Sequence, residues 1–395
     1  MYVFLQIYAS YVKNFLQCKF LHTYIEKSVI FAKNIMGMNV LICPLNWGLG
    51  HATRCVPIIK ALSNLGHKVI IAADKGPLAF LQKEFPDLEF IEFPGFDPIY
   101  SRSNTQVFKM MASFPKALRA FRRDHKTVES IVKSHNIDVV ISDNRFGCWS
   151  EEVHSVYITH QLHIQVPRLW SWTTPVINLF NNSYIKKYDE VWIPDYEDDP
   201  SLAGKLSHPY NRRIKTEYLG ILSRFNIDNQ EITEKSNKYL VILSGPEPQR
   251  TMFENIVLRQ AKEIKDNVLI LRAKPEGCEL PKDISSNVSM FNHVDDEMFV
   301  KLVQSAENII CRGGYSSLMD LVRLGRSAYL VPTPGQTEQE YLAKHLCKEG
   351  YFNWCKQSDF QLNKVITPEI TIRKAFRDNV TAIDDFMQIW TENLS

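Results

Sequence analysis

From Asn39 onward, short apolar runs alternate with amphipathic stretches, and glycine or polar residues follow most of the runs. VLICPL opens the series, WGLGHATR follows as a turn, and VPIIKALSNLG has the spacing of an amphipathic helix closed by Gly66. HKVIIAAD, LEFIEFPGF, IDVVISDNRFG, VHSVYITHQ and EVWIPDYED continue as strands. Residues 205–237 are polar and irregular, and a second series then begins at Tyr239–Leu243. It runs through the helix FENIVLRQAKEI, the strand NVLILRAK, the strand NIIC with a glycine turn, and the strand AYLVPTP. A helical stretch from Ile370 to Leu394 ends it. Strand–helix alternation of this kind predicts α/β architecture, with parallel sheets covered by helices. The pattern divides into a first domain at 38–215, a linker region at 216–238, a second domain at 239–366 and a terminal helical segment at 367–395.

Residues 1–37 do not fit this scheme. The segment is aromatic and mildly basic, but Lys13, Lys19, Glu26, Lys27 and Lys33 interrupt it too often for a bilayer span. It also lacks the basic-then-apolar order of a secretory signal. The expectation is that translation starts at Met36 or Met38, and peptides from upstream of Met36 in the cellular protein would overturn it; an amphipathic segment touching lipid is the alternative. With 395 residues, 45% apolar and 23% charged, the rest of the chain has material for two full cores. A net charge of +2 gives no reason to expect nucleic acid. Eight cysteines without a CxxC pair indicate reduced thiols and a cytoplasmic protein rather than a disulfide framework.

The richest chemistry lies between Cys311 and Ala343. Gly313 and Gly314 follow an apolar strand and precede a helix, which would bring backbone close to a ligand and present unpaired amides to an anion. Tyr315, Ser316 and Ser317 occupy the first helical turn. Asp320 is placed to accept from two ribose hydroxyls, or else to act as a dipole partner for the helix. Gln339 and Glu340, in the polar loop after LVPTPG, suit hydroxyl recognition on a sugar. Ser244 and Gly245 in SGPEPQR are placed to approach a diphosphate or to form a rigid turn. His293 and Val294 are candidates for holding a nucleobase edge, with helix capping by Asp295 or Asp296 as the plainer reading.

In the first half, His51 stands at the start of the helix after WGLG, where the helix dipole favours a neutral imidazole able to act as a general base. Gly48 and Gly50 would allow close approach of a ligand. Arg54 is a candidate for binding an acceptor anion or offsetting leaving-group charge, and Trp47 for stacking on an acceptor or packing in the core. Asp143, His160 and Gln161 end strands and so face the same crevice. His160 and His163 have no adjacent carboxylate that would complete a metal site, and no metal is expected. The basic helix FKMMASFPKALRAFRRDHK is either an ordinary amphipathic helix or a surface for anionic lipid.

On these motifs the chain from Met38 onward resembles the two-domain glycosyltransferases called GT-B, and within them the family 28 group, which includes the bacterial enzyme that glycosylates lipid-linked muramyl-pentapeptide. The resemblance is strongest over CRGGYSSLMDLVRLG, where Asp320 stands for a ribose-binding glutamate, Gly314 for a phosphate-loop glycine, Gln339 and Glu340 for a sugar-contacting pair, and His51 for the proposed base. It implies two Rossmann-like domains facing an interdomain cleft and a UDP-sugar donor, N-acetylglucosamine or a related hexose. It also implies metal-independent inverting transfer to a glycan, lipid-linked or small-molecule acceptor, with peripheral attachment at the cytoplasmic membrane face if that acceptor is a lipid. A UDP-sugar 2-epimerase and a non-catalytic nucleotide-sugar-binding protein are the alternatives.

Overall fold

The computed structural model describes residues 37–97, 106–208, 214–225, 237–245, 247–274, 279–281, 283–369, 372–376 and 382–394. Residues 1–36, on which the start-site expectation rests, and Pro246 of the SGPEPQR loop lie outside them.

The first sheet is built from β1 (Asn39–Pro44), β2 (Lys68–Ala73), β3 (Glu89–Glu92), β4 (Val139–Asp143), β5 (His154–Ile158), β6 (Glu190–Ile193) and β7 (Lys215–Tyr218). Between them run α1 (Leu49–Asn64), α2 (Lys75–Glu84), α3 (Gln106–His135) and α4 (Thr174–Ile185). The strand order is β3-β2-β1-β4-β5-β6-β7, and every pairing is parallel. Beyond its first residue β1 is wholly buried, and β4 is buried throughout. Helices on both faces remove the polar side that an exposed strand would need, hence the near-continuous apolar runs.

The second sheet contains β8 (Asn237–Ile242), β9 (Val268–Leu271), β10 (Val288–Phe291), β11 (Ala306–Cys311), β12 (Tyr329–Leu330) and β13 (Asn353–Trp354). Its order is β10-β9-β8-β11-β12-β13, again all parallel. The helices are α5 (Gln249–Ala261), α6 (Asp296–Ser305), α7 (Tyr315–Arg323) and α8 (Thr337–Lys348). In each sheet the order reverses once, between β1 and β4 and between β8 and β11. Open sheets of this kind offer a ligand crevice outside the carboxyl ends of the strands at such a switch point.

Two features differ from the sequence expectation. The first sheet continues past residue 215, because Lys215–Tyr218 forms its edge strand β7. KTEY is short and charged, as an edge strand that avoids open pairing often is, and so gives no apolar signal. Among the described residues of the terminal helical segment at 367–395, the helices are α9 (Ile372–Ala375) and α10 (Ala382–Leu394). Moreover, α10 returns to the first sheet: the Trp390 ring packs edge-on to Trp192 with centroids 4.7 Å apart, and Phe386 meets Trp192 at 5.4 Å. Trp390 Nε1 also donates to the buried Glu190 carboxylate, which accepts from Lys215 Nζ at 2.7 Å and contacts His154 Nε2 at 3.1 Å. The largest apolar cluster is continuous across both sheets, joining Val40, Ile58 and Trp192 to Ile309, Leu318 and Leu342.

Candidate active site

The first-sheet side of the crevice is formed by the start of α1 and the ends of β4 and β5. Gly48 leads into α1 with φ 117, a backbone state that glycine adopts without strain, and no side chain caps the helix there. His51 projects from the first turn and keeps 18% side-chain exposure, whereas Arg54 one turn later is buried. Arg54 grips Asp143, the last residue of β4, through Nε to Oδ2 at 2.8 Å and through Nη2 to Oδ1. This forked arrangement is the geometry in which guanidinium and carboxylate bind most strongly. Burial alone would raise the Asp143 carboxyl, but the charges of Arg54 and His51 bring it down to about 2. Burial first, and Arg54 second, push the His51 imidazole below 6.5, which favours the neutral ring at pH 7.

His51 Nδ1 lies 2.9 Å from Arg54 Nη2 and 3.3 Å from Asp143 Oδ2. On its other side Arg54 extends Nη1 to within 3.3 Å of His160 Nδ1. His160 Nε2 in turn reaches Glu338 Oε1, on α8 beneath the second sheet, at 2.7 Å. The His160 ring lies flat on Tyr315, with centroids 3.8 Å apart and planes 2° from parallel. Gln161 Nε2 sits 3.4 Å from His160 Nε2. His51, Arg54, Asp143, His160 and Gln161 are therefore one cluster. Its Arg54 is occupied by Asp143 rather than open to an acceptor anion. Trp47, 38% exposed, donates from Nε1 to the Phe96 carbonyl at 2.6 Å and has its ring edge-on to Phe96.

Across the crevice, Gly313 and Gly314 follow β11 and lead into α7. A Cβ on Gly313 would lie 3.1 Å from the Gln339 carbonyl, so that position holds the two loops close, while a Cβ on Gly314 would meet nothing within 4 Å. No side chain caps α7, which leaves its first amides to a ligand or solvent. Tyr315 and Ser316 reach across to the first half: Tyr315 donates to the Pro194 carbonyl at 2.6 Å and Ser316 to the Gly50 carbonyl at 2.9 Å. Ser317 is half-buried. Gly245 has φ 93, and its loop with Ser244 runs beside Thr333, whose Oγ1 is buried without a partner among the described residues. Gln339 is buried and braces that loop by accepting from Thr333 N at 2.8 Å, whereas Glu340 on the same turn is half-exposed.

Farther along the second sheet, Asp320 is half-buried and accepts from Ser223 Oγ at 2.7 Å. Burial pushes its carboxyl up to about 6, against the opposing pull of Arg224. Arg224 pairs with Asp296 at 2.9 Å. His293 is exposed beside this group, Val294 packs on the core, and Asp295 caps α6 by accepting from Met298 N at 2.8 Å. Behind the glycine turn, Arg312 is fully buried and, among the described residues, has no carboxylate partner; it donates to the Gln249 carbonyl at 2.9 Å and the Val331 carbonyl at 3.0 Å.

Residues 38–169 match the sequence model of glycosyl transferase family 1, and residues 228–379 match that of the glycosyltransferase family 28 C-terminal domain. The chain is a GT-B glycosyltransferase. A protein of Methanosarcina mazei described as an uncharacterized glycosyltransferase is 24% identical over 336 residues, covering 80% of this chain and 84% of that one. The UDP-N-acetylglucosamine–N-acetylmuramyl-(pentapeptide) pyrophosphoryl-undecaprenol N-acetylglucosamine transferase of Listeria welshimeri is 24% identical over 314 residues, 76% of this chain and 81% of that one. The solved structure of the calicheamicin glycosyltransferase CalG4 superposes with a TM-score of 0.60 at 12% identity, covering 91% of this chain and 98% of that one.

Sequence reasoning about this glycosyltransferase overlooked the role of Glu338 and the residues Thr333, Ser223 and Arg312. An arginine directly before the glycine pair of an apolar strand was a usable signal for the last of these, since a buried charge needs several partners. Ser223 carried none, because its meeting with Asp320 spans 97 residues.

Proposed function

We propose that this glycosyltransferase moves a hexose, N-acetylglucosamine or a close relative, from a UDP-sugar to an acceptor hydroxyl by direct inverting displacement without a metal. The observation that carries the reading is the apposition of His51, beside the ionised Asp143, to the uncapped start of α7 across the crevice. The diphosphate would lie on the amides after Gly313 and Gly314 with Ser244 and Gly245 beside it. Asp320 would hold the ribose, the His293–Val294 loop the base, and Gln339 and Glu340 the sugar side. His51 Nε2 would take the acceptor proton as the acceptor oxygen bonds to the anomeric carbon and the electron pair of the breaking C–O bond leaves with the diphosphate. Helix amides would stabilise that charge. UDP-N-acetylglucosamine in the name of the Listeria welshimeri relative supports the choice of donor.

A lipid-borne acceptor is supported by exposed apolar residues at α4. Val176 and Leu179 on α4 and Trp172 in the turn just before it are 69%, 71% and 72% exposed, and Arg119 and Arg122 on α3 and Lys186 and Lys187 after α4 are exposed as well. Among the described residues no helix is long and apolar enough to cross a membrane. The first experiment is thermal protection by UDP, GDP, dTDP and ADP, with Asp320→Ala as the pocket control. Selective protection by UDP that is lost in the variant supports the donor reading, and no protection by any nucleotide in the folded protein overturns it.

A further inference from the structure

We propose that Arg54 is a positioning residue that selects the tautomer of His51, and thereby decides whether the outward nitrogen of that imidazole can accept a proton. The inference rests on His51 acting as the base in the reading above.

A neutral imidazole has one N–H and one lone pair on its ring nitrogens. To take a proton at Nε2, the ring must carry its hydrogen on Nδ1. The carboxylate of Asp143 is the acceptor that would favour that tautomer, and its Oδ2 stands 3.3 Å from Nδ1. Arg54 Nη2 stands closer, at 2.9 Å. A guanidinium only donates, so this contact requires the Nδ1 lone pair and places the ring hydrogen on Nε2. The two neighbours therefore demand opposite tautomers, and the shorter contact belongs to Arg54. In this arrangement His51 is held in the form that cannot act as a base at Nε2.

Arg54 is not isolated from the other half of the molecule. Its Nη1 contacts His160 Nδ1 at 3.3 Å, and His160 Nε2 contacts Glu338 Oε1 at 2.7 Å. The hydrogen pattern is self-consistent: Arg54 donates to His160, and His160 donates to Glu338. The carboxylate on α8 thus bears on the position of the guanidinium through a single imidazole. Releasing Nδ1 to Asp143 requires the contact between Arg54 Nη2 and Nδ1 to open. The charged and titratable groups facing His51 are Arg54 on α1, Asp143 on β4, His160 after β5 and Glu338 on α8. Cys55 on α1 faces Asp143 from behind, its Sγ 3.7 Å from Oδ2.

The test is nitrogen NMR of the full chain with labelled histidine, the His51 signals being assigned by their loss in His51→Asn. At pH 7.5 the wild-type protein is expected to show the Nε2–H tautomer as the major form. Arg54→Lys, which keeps the charge but loses the fork, is expected to reverse the ratio toward Nδ1–H. Glu338→Gln leaves the buried ion pair intact and covers the case in which the lysine variant fails to fold; it is expected to shift the ratio in a measurable way. A wild-type protein already in the Nδ1–H form, or a ratio unmoved in the folded variants, overturns the proposal. The base reading fails by a different sign: His51→Ala retaining full turnover would remove it, whatever tautomer is observed.

Discussion

The buried pair between Arg54 and Asp143 makes the sharpest energetic prediction. The Asp143 carboxyl is held at about 2 against an ordinary 3.8, a difference of nearly two units. At 1.36 kcal/mol per unit this corresponds to folding free energy on the order of 2 kcal/mol at neutral pH. Replacing Asp143 with Asn removes that contribution and leaves the Arg54 guanidinium buried without its anion, so the expected loss is about 3–5 kcal/mol. Arg54→Met strands the carboxylate instead and should cost a similar amount. The double variant Arg54→Met/Asp143→Leu removes both charges, and its loss should fall short of the sum of the singles by at least about 2 kcal/mol. Urea unfolding at pH 7, followed by tryptophan fluorescence, measures all three. The wild-type protein carries a pH signature as well. The carboxyl is lower in the folded chain than in the unfolded one, so its contribution is complete above about pH 5 and is lost as the pH falls through about 2. Single variants that lose less than about 1 kcal/mol, or a double variant that equals the sum, would refute the assignment of a tightly coupled pair.

Three further outcomes are expected. His51→Ala should lower kcat by about 10²–10⁴-fold while leaving thermal protection by the nucleotide intact, and loss of protection would contradict its place outside the donor pocket. Nucleotide binding should weaken as the pH falls through about 6, where Asp320 takes up its proton, and titration calorimetry of Asp320→Asn should give a flatter profile; equal slopes would remove Asp320 from the ribose site. Trp390→Ala should destabilise the protein by about 3–5 kcal/mol, because an aromatic ring packed on Trp192 and bonded to buried Glu190 is lost. An unchanged melting temperature would show that α10 contributes nothing to the first half of the molecule.

How much of this was readable beforehand follows from how local each signal is. The central strands of both sheets were legible because helices cover both faces and leave unbroken apolar runs such as VLIC and VVIS, whereas the short strands β7, β10 and β13 were not read. The glycine turns at 48–50 and 313–314 and the histidine beside the first were legible because each is a motif of a few residues. The pairing of His51 with Asp143 was not, since the two are 92 residues apart and meet only because β4 pairs with β1. Arg54 carried an unread signal: it lies among Ala52, Cys55, Ile58 and Ile59 on the buried side of α1, where a charge demands a buried counter-ion. KTEY could not be recognised as a strand from its own polarity. The C-terminal stretch read as helical, but nothing local in it says which sheet its helix packs on.

The return of α10 has a mechanical consequence. The chain passes from the first sheet to the second after β7, and comes back from the second to the first before α10. A body tied to its neighbour at one point can swing about any axis through that point. Tied at two points, it keeps only rotation about the line that joins them. Any separation of the two halves would therefore have to break the α10 contacts with Trp192 and Glu190 or carry them along, besides breaking the Tyr315, Ser316 and Glu338 contacts. The second tie is thus made by side chains rather than by backbone alone, and Trp390 and Phe386 are the residues through which it is made.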